Sequence, residues 1–267
     1  MEKVGAAYCV YEDTGTLNES IRRIYDLVDK VVVLLNYEPW NGVPDIEASF
    51  ETYKKVRDVY DPNNKVVMIS QHWKSEAEQR NFGKDYLHQQ GIKWCFVIDD
   101  DEFYNRDQLT NMITVLQNGE MFVYLVKQQI YWKTRGYCIS EVLLGMPVFV
   151  LSDNSKVVFT ENRNVVVYGG NWETMDENFI LCHHYSYVRT DAQMVRKFKT
   201  FSHAGDFSWR EWFENIWLKW TTDSINLHPN PGSVSCFPKA IPVSEAKYKL
   251  EDINFNMDLE RFLASQK

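Results

Sequence analysis

Short apolar runs and helical patterns alternate along the first part of the chain. Runs rich in β-branched and aromatic residues predict strands at 4–11, 30–35, 65–70 and 94–98. Apolar positions at helical spacing predict helices between them, at 17–29, 46–60 and 74–90. The second strand has no polar alternation, which is typical of a parallel strand covered on both faces. The pattern therefore predicts a parallel, doubly wound sheet.

The second part of the chain changes character after a predicted helix at 108–118. Further strands are predicted at 121–132, 148–151, 157–159, 165–168 and 180–187, joined by short turns. Later helices are predicted from residue 190, over 208–220 and at 257–265, with irregular chain over 222–242. The expected fold class is α/β, with a mostly parallel sheet flanked by helices and an antiparallel and helical C-terminal extension.

Two of the predicted helices begin with a capping pattern. Thr16 is followed three residues later by Glu19, and Asn105 is followed three residues later by Gln108. In such a capping box, the first side chain accepts a hydrogen bond from the first turn of the helix. We therefore expect the side-chain oxygens of Thr16 and Asn105 to cap their helices.

Composition adds limits to this picture. The chain has 267 residues, 45% of them hydrophobic, so one domain over 1–267 with a single large core is expected. Its net charge of −8 indicates that the surface as a whole is not built to hold a polyanion. Its five cysteines are odd in number and scattered, which predicts free thiols in a reducing cytoplasm. No apolar run reaches the ~20 residues of a membrane span, and the N-terminal run is too short for a signal peptide.

Four consecutive acids follow the apolar strand at 94–98, and they are the strongest candidate for chemistry. They are Asp99, Asp100, Asp101 and Glu102. Ligands bind at the carboxyl ends of the strands in open α/β sheets. Alternation along an extended chain places Asp99 and Asp101 on one side and Asp100 on the other. Adjacent carboxylates repel one another, so a hard divalent ion such as Mn²⁺ or Mg²⁺ is one candidate for their partner.

Two common nucleotide-binding motifs do not occur in the sequence. There is no GxGxxG after the first predicted strand, and no GxxxxGK[ST] anywhere in the chain. Their absence argues against a dinucleotide-binding dehydrogenase and against a P-loop phosphotransferase.

Several segments together resemble the GT-A glycosyltransferases, and in particular their broad family-2-like group. The segments are VGAAYCVYEDTGTLNESIRRIYDLVDKVVVLLN, KSEAEQRNFGKDYL, IDDDEFY and HHYSYVRT. The third resembles the family's acidic DxD-type motif. The resemblance implies a GT-A-like fold and a metal-dependent transfer of a sugar from a UDP-linked nucleotide sugar. It also implies a nucleotide-sugar-binding half at 1–118 and an acceptor-binding half with the C-terminal extension at 119–267.

The same resemblance assigns roles around the acidic motif. It implies that Asp101 is the leading ligand of Mn²⁺ or Mg²⁺ and that Asp99 contacts the donor sugar, with Asp100 also within reach. A late histidine is expected to complete the metal shell. His183 and His184 face opposite sides of a strand, so one of them points into the site, and we prefer His184.

The resemblance also places the donor nucleotide at the ends of the first two strands. Tyr11 and Glu12 are expected to meet the base and ribose. Asn36 stands where many relatives have an acid, and its amide offers both a donor and an acceptor to a base. Arg80, on the helix before the acidic motif, is expected to pair with the diphosphate.

An inverting transfer needs a carboxylate base near the acceptor hydroxyl. Glu141, Glu173, Asp176 and Asp206 are available, and we take Glu141 and Asp176 as the candidates. The stereochemical outcome stays open at this point.

Basic residues and tryptophans of the second half suggest an anionic acceptor. The segment from Arg189 to Lys199 has a local net charge of about +3, and Lys127, Lys133 and Arg135 extend it. The acceptor is accordingly a glycan or a hydroxylated base in DNA. An extruded base would stack on aromatic side chains, for which the candidates are Trp132, Trp172 and Trp209.

Two other functions remain open from the sequence. One is a sugar-phosphate nucleotidyltransferase, although the residues after the first predicted strand lack the basic loop expected of it. The other is a non-catalytic module that binds carbohydrate or nucleic acid. The sequence makes no prediction of oligomeric state.

Overall fold

The computed structural model describes residues 2–11, 15–40, 46–200 and 207–250. The strands within this part of the chain are β1 (Val4–Val10), β2 (Lys30–Asn36), β3 (Val66–Gln71), β4 (Trp94–Ile98), β5 (Glu102–Phe103), β6 (Val123–Trp132), β7 (Thr134–Ile139), β8 (Leu143–Leu151), β9 (Val157–Phe159), β10 (Val165–Val167), β11 (Trp172–Thr174), β12 (Cys182–Tyr187) and β13 (Ala240–Pro242). Among the described residues, all of them except the β9–β10 pair belong to one sheet.

The first four strands form the parallel part of the sheet. Strand β1 pairs in parallel with β2 on one side and with β4 on the other, and β2 pairs in parallel with β3. All seven residues of β1 and all five of β4 are buried, as expected for strands that are covered on both faces. The predicted parallel sheet is confirmed, and β1 and β4 end side by side at one edge.

The later strands extend the sheet beyond β4 in mixed directions. The order continues from β4 to β8, β6, β7 and β13, and each of these neighbours is antiparallel to the last. Strand β12 lies parallel to β6 and antiparallel to the short β5. In that pairing His184 is opposite Glu102, so β12 returns the late histidine to the acidic motif. The α/β fold class expected from the sequence, with a parallel sheet and an antiparallel extension, is confirmed.

The described helices are α1 (Leu17–Ile24), α2 (Ile46–Arg57), α3 (Glu76–Gln89), α4 (Arg106–Asn118), α5 (Asp191–Thr200) and α6 (Trp209–Trp212). Helix α3 approaches the sheet closely at Gly83, where a Cβ atom would lie 2.6 Å from Cδ1 of Leu34. This close approach places Arg80, one turn earlier, above the end of β4.

The structure corrects several details of the sequence-based prediction. The predicted helix over 208–220 is the short α6 followed by a π-helical turn at Phe213–Trp217. Asn105 caps α4 as expected, since its side chain accepts from the backbone N–H groups of Asp107 and Gln108. Thr16 makes no capping hydrogen bond, so that prediction was wrong. The helix predicted at 257–265 lies outside the described residues.

Strands β7 and β11 were not predicted. Strand β7 contains Gly136 and an arginine, and β11 is only three residues long, so neither has the apolar run that marks a strand in sequence. Four of the five cysteines are buried free thiols, and Cys236 is exposed. Within the described residues, no helix has both the length and the apolar character needed to cross a membrane.

An aromatic stack joins the parallel and antiparallel parts of the sheet. The rings of Phe96 on β4 and Phe149 on β8 lie 4.6 Å apart, and both residues are 1% exposed. They pair directly across the antiparallel ladder. Such a buried pair stabilises the junction through both burial and ring contact.

Replacing Phe149 tests this junction. We expect Phe149→Ala to lower the free energy of unfolding by about 3–5 kcal/mol, because it removes a buried ring and leaves a cavity. Urea unfolding followed by tryptophan fluorescence measures the change. Leu144→Ala on the same strand is the matched control, since Leu144 is 88% exposed. Equal effects of the two substitutions would show that the stack does not hold the junction.

Candidate functional site

A cavity of about 340 Å³ opens at the carboxyl ends of β1 and β4. It is lined by the three aspartates of the acidic motif, by Tyr11 after β1, and by Arg80 from helix α3. His184 on β12, together with Arg189 and Lys197 after it, also lines the cavity. The sheet topology therefore joins residues that are far apart in sequence at the edge where parallel sheets bind ligands.

The acidic motif does not continue β4 as an extended strand. The chain turns at Asp100 and Asp101 before the short β5 begins. As a result Asp99, Asp100 and Asp101 all line the same cavity, and the predicted alternation of their side chains was wrong. Alternation applies only while the backbone stays extended.

Two arginines hold the first carboxylate of the motif. Nη2 of Arg80 donates to both oxygens of Asp99, at 3.0 and 3.2 Å, and Nη1 of Arg163 donates to Oδ2 at 3.4 Å. Burial opposes the charged form, but the two guanidinium groups outweigh it and keep the pKa of Asp99 below its usual value. Asp99 therefore stays ionised, with 26% of its side chain exposed.

Arg163 also neutralises the fourth acid of the motif. Its guanidinium forms a bidentate salt bridge with Glu102, whose side chain is fully buried. It also donates hydrogen bonds to the carbonyl oxygens of Val97 and Pro147. Asn162 and Arg163 have φ angles of 60° and 57°, a left-handed conformation that is unfavourable for non-glycine residues. The bonds of Arg163 offset this strain. Sequence reasoning missed the residue, because nothing around it marks it as buried.

Asp101 lies between two cations at the other end of the motif. Nε2 of His184 is 3.1 Å from Oδ1, and Nη2 of Arg189 is 3.1 Å from Oδ2. Burial opposes ionisation of Asp101, but His184 and Arg189 outweigh it and hold its pKa well below the usual range. Asp101 is therefore a carboxylate whose two oxygens both accept hydrogen bonds from the protein.

The geometry of His184 indicates the protonated form. Its Nδ1 lies 3.4 Å from Oε1 of Gln128, and its Nε2 faces Asp101, so both ring nitrogens meet oxygen acceptors. Burial lowers the pKa of His184, but the Asp101 carboxylate more than compensates and raises it above the usual value. His183 points the other way and is 3.1 Å from the hydroxyl of buried Tyr131. Burial lowers its pKa to about 3, so His183 is neutral.

The residues at this site do not fit a resident divalent ion in their present arrangement. The two side chains predicted to bind the metal, Asp101 and His184, are hydrogen-bonded to each other. An imidazole that is protonated on both nitrogens has no lone pair for a metal. Arg189 occupies the second oxygen of Asp101. Within the described ranges, no group of three or more His, Cys, Asp or Glu side chains is arranged to hold a metal ion.

The predicted nucleotide contacts are only partly brought together. Tyr11 lines the cavity, whereas Glu12 lies outside the described residues. Asn36 is fully buried, and its amide exchanges hydrogen bonds with the backbone N–H and C=O of Trp73 at 3.2 and 3.0 Å. The side chain therefore joins β2 to the segment after β3. Thr16, which was expected to cap a helix, donates instead to Oδ2 of Asp100 at 3.4 Å.

The two predicted catalytic bases lie in a different region. Glu141 lines a second hollow of about 320 Å³ together with Lys127 and Gln129. Gln128, between those two residues on β6, points towards Glu102 and His184, so the second hollow lies on the other face of the strand. Asp176 accepts hydrogen bonds from the backbone and side chain of Asn178, which lower its pKa.

The basic and aromatic residues of the second half are divided between core and surface. Trp132 is fully buried, so its predicted role in stacking a base was wrong, whereas Trp172 is 60% exposed. Trp209 stacks on Phe198 with the ring planes 7° apart. Lys127 pairs with Glu177, and Lys133 lies 3.7 Å from Asp191. Arg189 and Lys197 point into the cavity and do not form part of an outer rim.

Comparisons with known proteins found likeness in structure only. No family model matches the sequence, and no curated protein matches it in sequence. Several solved structures with partial likeness are of TarS from S. aureus. The structure of TarS 1–349 is 14% identical over 69% of this chain, with a TM-score of 0.43.

Two further TarS structures share less of the chain. TarS 1–349 in complex with UDP-GlcNAc is 17% identical over 48% of this chain, with a TM-score of 0.33. Another TarS structure is 16% identical over 48%, with a TM-score of 0.34. The matches cover 60%, 35% and 22% of the three TarS chains, so this chain spans less than two thirds of each. These values describe a partial likeness of the chain course and do not assign a family.

The Arg163–Glu102 pair is open to a direct test. Arg163→Met keeps the length of the side chain but leaves Glu102 as a buried carboxylate without its main partner. We expect the free energy of unfolding to fall by about 3–5 kcal/mol in urea at neutral pH. Arg57→Met is the control, because Arg57 is exposed and its change should stay within about 0.5 kcal/mol. A similarly small effect at Arg163 would contradict the role given to it.

The depressed pKa of Asp101 predicts a loss of stability in acid. An unfolded aspartate titrates near pH 3.9, so the unfolded chain takes up this proton before the folded chain does as the pH falls. The contribution of ionised Asp101 to the free energy of unfolding is complete above about pH 5 and is lost progressively as the pH falls below that value.

Asp101→Asn should therefore give a shallower fall of unfolding free energy between about pH 5 and pH 2 than the parent protein. Denaturant unfolding at a series of pH values measures the slope. Asp223→Asn, at an exposed position, makes the same change in charge and should keep the parent slope. An unchanged slope in Asp101→Asn would show that the pair with His184 and Arg189 does not stabilise the fold.

Proposed function

We propose that this chain is a glycosyltransferase that moves a sugar from a UDP-linked nucleotide sugar to a hydroxyl acceptor. The observation that carries the proposal is the cavity at the carboxyl ends of β1 and β4. There an ionised acidic motif faces Arg80, Arg189 and Lys197. A nucleotide sugar has hydroxyl groups that carboxylates bind and a diphosphate that cations bind. The resemblance of IDDDEFY and HHYSYVRT to the GT-A glycosyltransferases supports the same reaction.

The reaction needs two changes at the anomeric carbon of the donor. The bond from this carbon to the diphosphate oxygen breaks, and its electron pair stays on the diphosphate. The acceptor hydroxyl oxygen forms the new bond to the carbon, and its proton passes to a base or to water. The chain must therefore hold the donor sugar in position and stabilise negative charge on the leaving diphosphate.

The described residues provide for both needs. Asp99 is held by Arg80 and Arg163 but keeps part of its carboxylate exposed, and we propose that it accepts hydrogen bonds from the donor sugar. Tyr11 at the end of β1 offers a ring for the nucleotide base. No step is assigned to Mn²⁺ or Mg²⁺, because Asp101 and His184 are bonded to each other.

The acceptor that we propose is a glycan hydroxyl. A hydroxylated base in DNA would need exposed aromatic rings beside the cavity, and Trp132 is part of the core instead. Lys127 and Lys133, which the sequence predicted to bind an anionic acceptor, instead lie close to the carboxylates of Glu177 and Asp191. The overall charge of −8 also opposes tight binding of DNA.

Turnover of a panel of nucleotide sugars tests the proposal. We expect slow hydrolysis of one of them, with release of its nucleoside diphosphate, in assays run with EDTA and again with Mn²⁺. Asp99→Asn should reduce this turnover by about 100-fold, since it weakens a contact that positions the reacting sugar. Asp223→Asn, at an exposed position, should leave turnover unchanged.

Three outcomes would reject the proposal. Release of pyrophosphate from a nucleoside triphosphate and a sugar phosphate, with formation of the nucleotide sugar, would identify a nucleotidyltransferase. Binding of a nucleotide sugar with no hydrolysis and no transfer to any glycan would identify a binding module. Equal turnover by Asp99→Asn and the parent protein would place the chemistry away from the acidic motif.

A further inference from the structure

Two cations of the cavity wall converge on a single backbone oxygen. Nε of Arg189 lies 3.0 Å from the carbonyl oxygen of Ser186, and Nζ of Lys197 lies 3.2 Å from the same atom. Both side chains line the cavity. Two like charges held this close repel each other, and an anion placed between them would relieve the repulsion.

Lys197 is the less compensated member of this pair. Its ammonium donates to the carbonyl and hydroxyl oxygens of Ser186 and, within the described part of the chain, forms no ion pair with a carboxylate. Burial and the neighbouring Arg189 lower the pKa of Lys197 to about 8, because together they outweigh the opposing effect of the nearby Asp101, Asp100 and Asp99 carboxylates. A buried ammonium next to another cation is the arrangement that an anionic ligand stabilises.

Arg80 adds a second unsatisfied donor to the same cavity. Its side chain is 3% exposed, and two of its nitrogens bind Glu76 and Asp99. The third, Nη1, is buried and has no hydrogen-bond partner among the described residues. Leaving a buried charged donor unsatisfied is unfavourable, so Arg80 keeps the capacity to donate one more hydrogen bond.

Two carboxylates of the acidic motif, by contrast, already have compensating charges. Asp99 is paired with Arg80 and Arg163, and Asp101 with His184 and Arg189. A divalent ion at Asp101 would have to displace both Arg189 and His184 from its two oxygens. The adjacent cations of Arg189 and Lys197 therefore offer a place for negative charge within the cavity.

We propose that Arg80, Arg189 and Lys197 bind the diphosphate of the donor directly, in the place that a divalent ion takes in a metal-dependent transferase. This inference rests on the proposed function and specifies how its donor is held. Each contact is a charge-assisted hydrogen bond to a phosphate oxygen, and each strengthens as the leaving diphosphate gains charge. Donor binding is then independent of divalent metal.

Binding of diphosphates in the presence of EDTA tests the inference without turnover. Inorganic pyrophosphate is the first probe, because it needs no knowledge of the base, and UDP is the second. We expect the 267-residue chain to bind both by isothermal titration calorimetry in EDTA, with the UDP affinity changed less than about threefold by Mn²⁺. Lys197→Met should weaken binding of both probes by about 10-fold to 100-fold, the effect of losing a hydrogen bond to a charged group.

Two further variants make the result specific. Lys197→Arg keeps the charge and should retain affinity within about tenfold of the parent protein. Lys199→Met removes an exposed charge from the same helix and should bind as the parent protein does. Melting temperatures of all variants establish that each is folded under the assay conditions.

The possible results separate this inference from the proposed function. Binding of UDP only when Mn²⁺ is present, or unchanged binding in Lys197→Met, would overturn the metal-independent site and leave the glycosyltransferase proposal standing. Binding of pyrophosphate in EDTA that depends on Lys197, together with no turnover of any nucleotide sugar, would support the anion site and reject the transferase.

Discussion

Charge compensation at the end of β4 is the constraint on which the site depends. Four acids in succession cannot be packed beside a buried strand unless cations reach them from elsewhere. Arg80 comes from helix α3, Arg163 from the turn after β9, and Arg189 from the segment after β12. Asp99 and Asp101 stay ionised because these cations outweigh the effect of burial on the pKa of each carboxyl. The motif and its partners thus form one structural unit.

This unit gives the cavity two kinds of lining residue. One kind includes Asp99 and Asp101, whose charges are matched by nearby cations, and it is suited to the hydroxyl groups of a sugar. The other kind includes Lys197, which forms no ion pair with a carboxylate within the described chain. It also includes Arg80, whose Nη1 has no hydrogen-bond partner there. An acidic motif is usually taken as evidence for a cation, but here the basic side chains are the ones left incompletely matched. This difference, and not the number of acids, is the basis on which we propose an anionic ligand.

Topology makes the unit possible, and it does so at some local cost. Strand β12 pairs with both β5 and β6, which brings His184 opposite Glu102 from more than eighty positions later in the chain. Asn162 and Arg163 adopt a left-handed backbone so that the guanidinium can reach the core of the site. Strain of this kind persists only where surrounding contacts are strong enough to hold it. The buried pair with Glu102 is such a contact.

The sequence by itself determined the local features of this protein. The apolar runs that became β1 to β4, the cap at Asn105 and the position of the acids after β4 follow from side-chain pattern and short-range hydrogen bonding, which a sequence records directly. Only the tertiary structure decided which distant side chains meet. It buried Trp132, joined Asn36 to Trp73, and placed Arg163 against Glu102. These outcomes depend on the order of the strands in the sheet and on the balance between the cost of burying a charge and the gain from pairing it. Neither can be read from the spacing of residues along the chain.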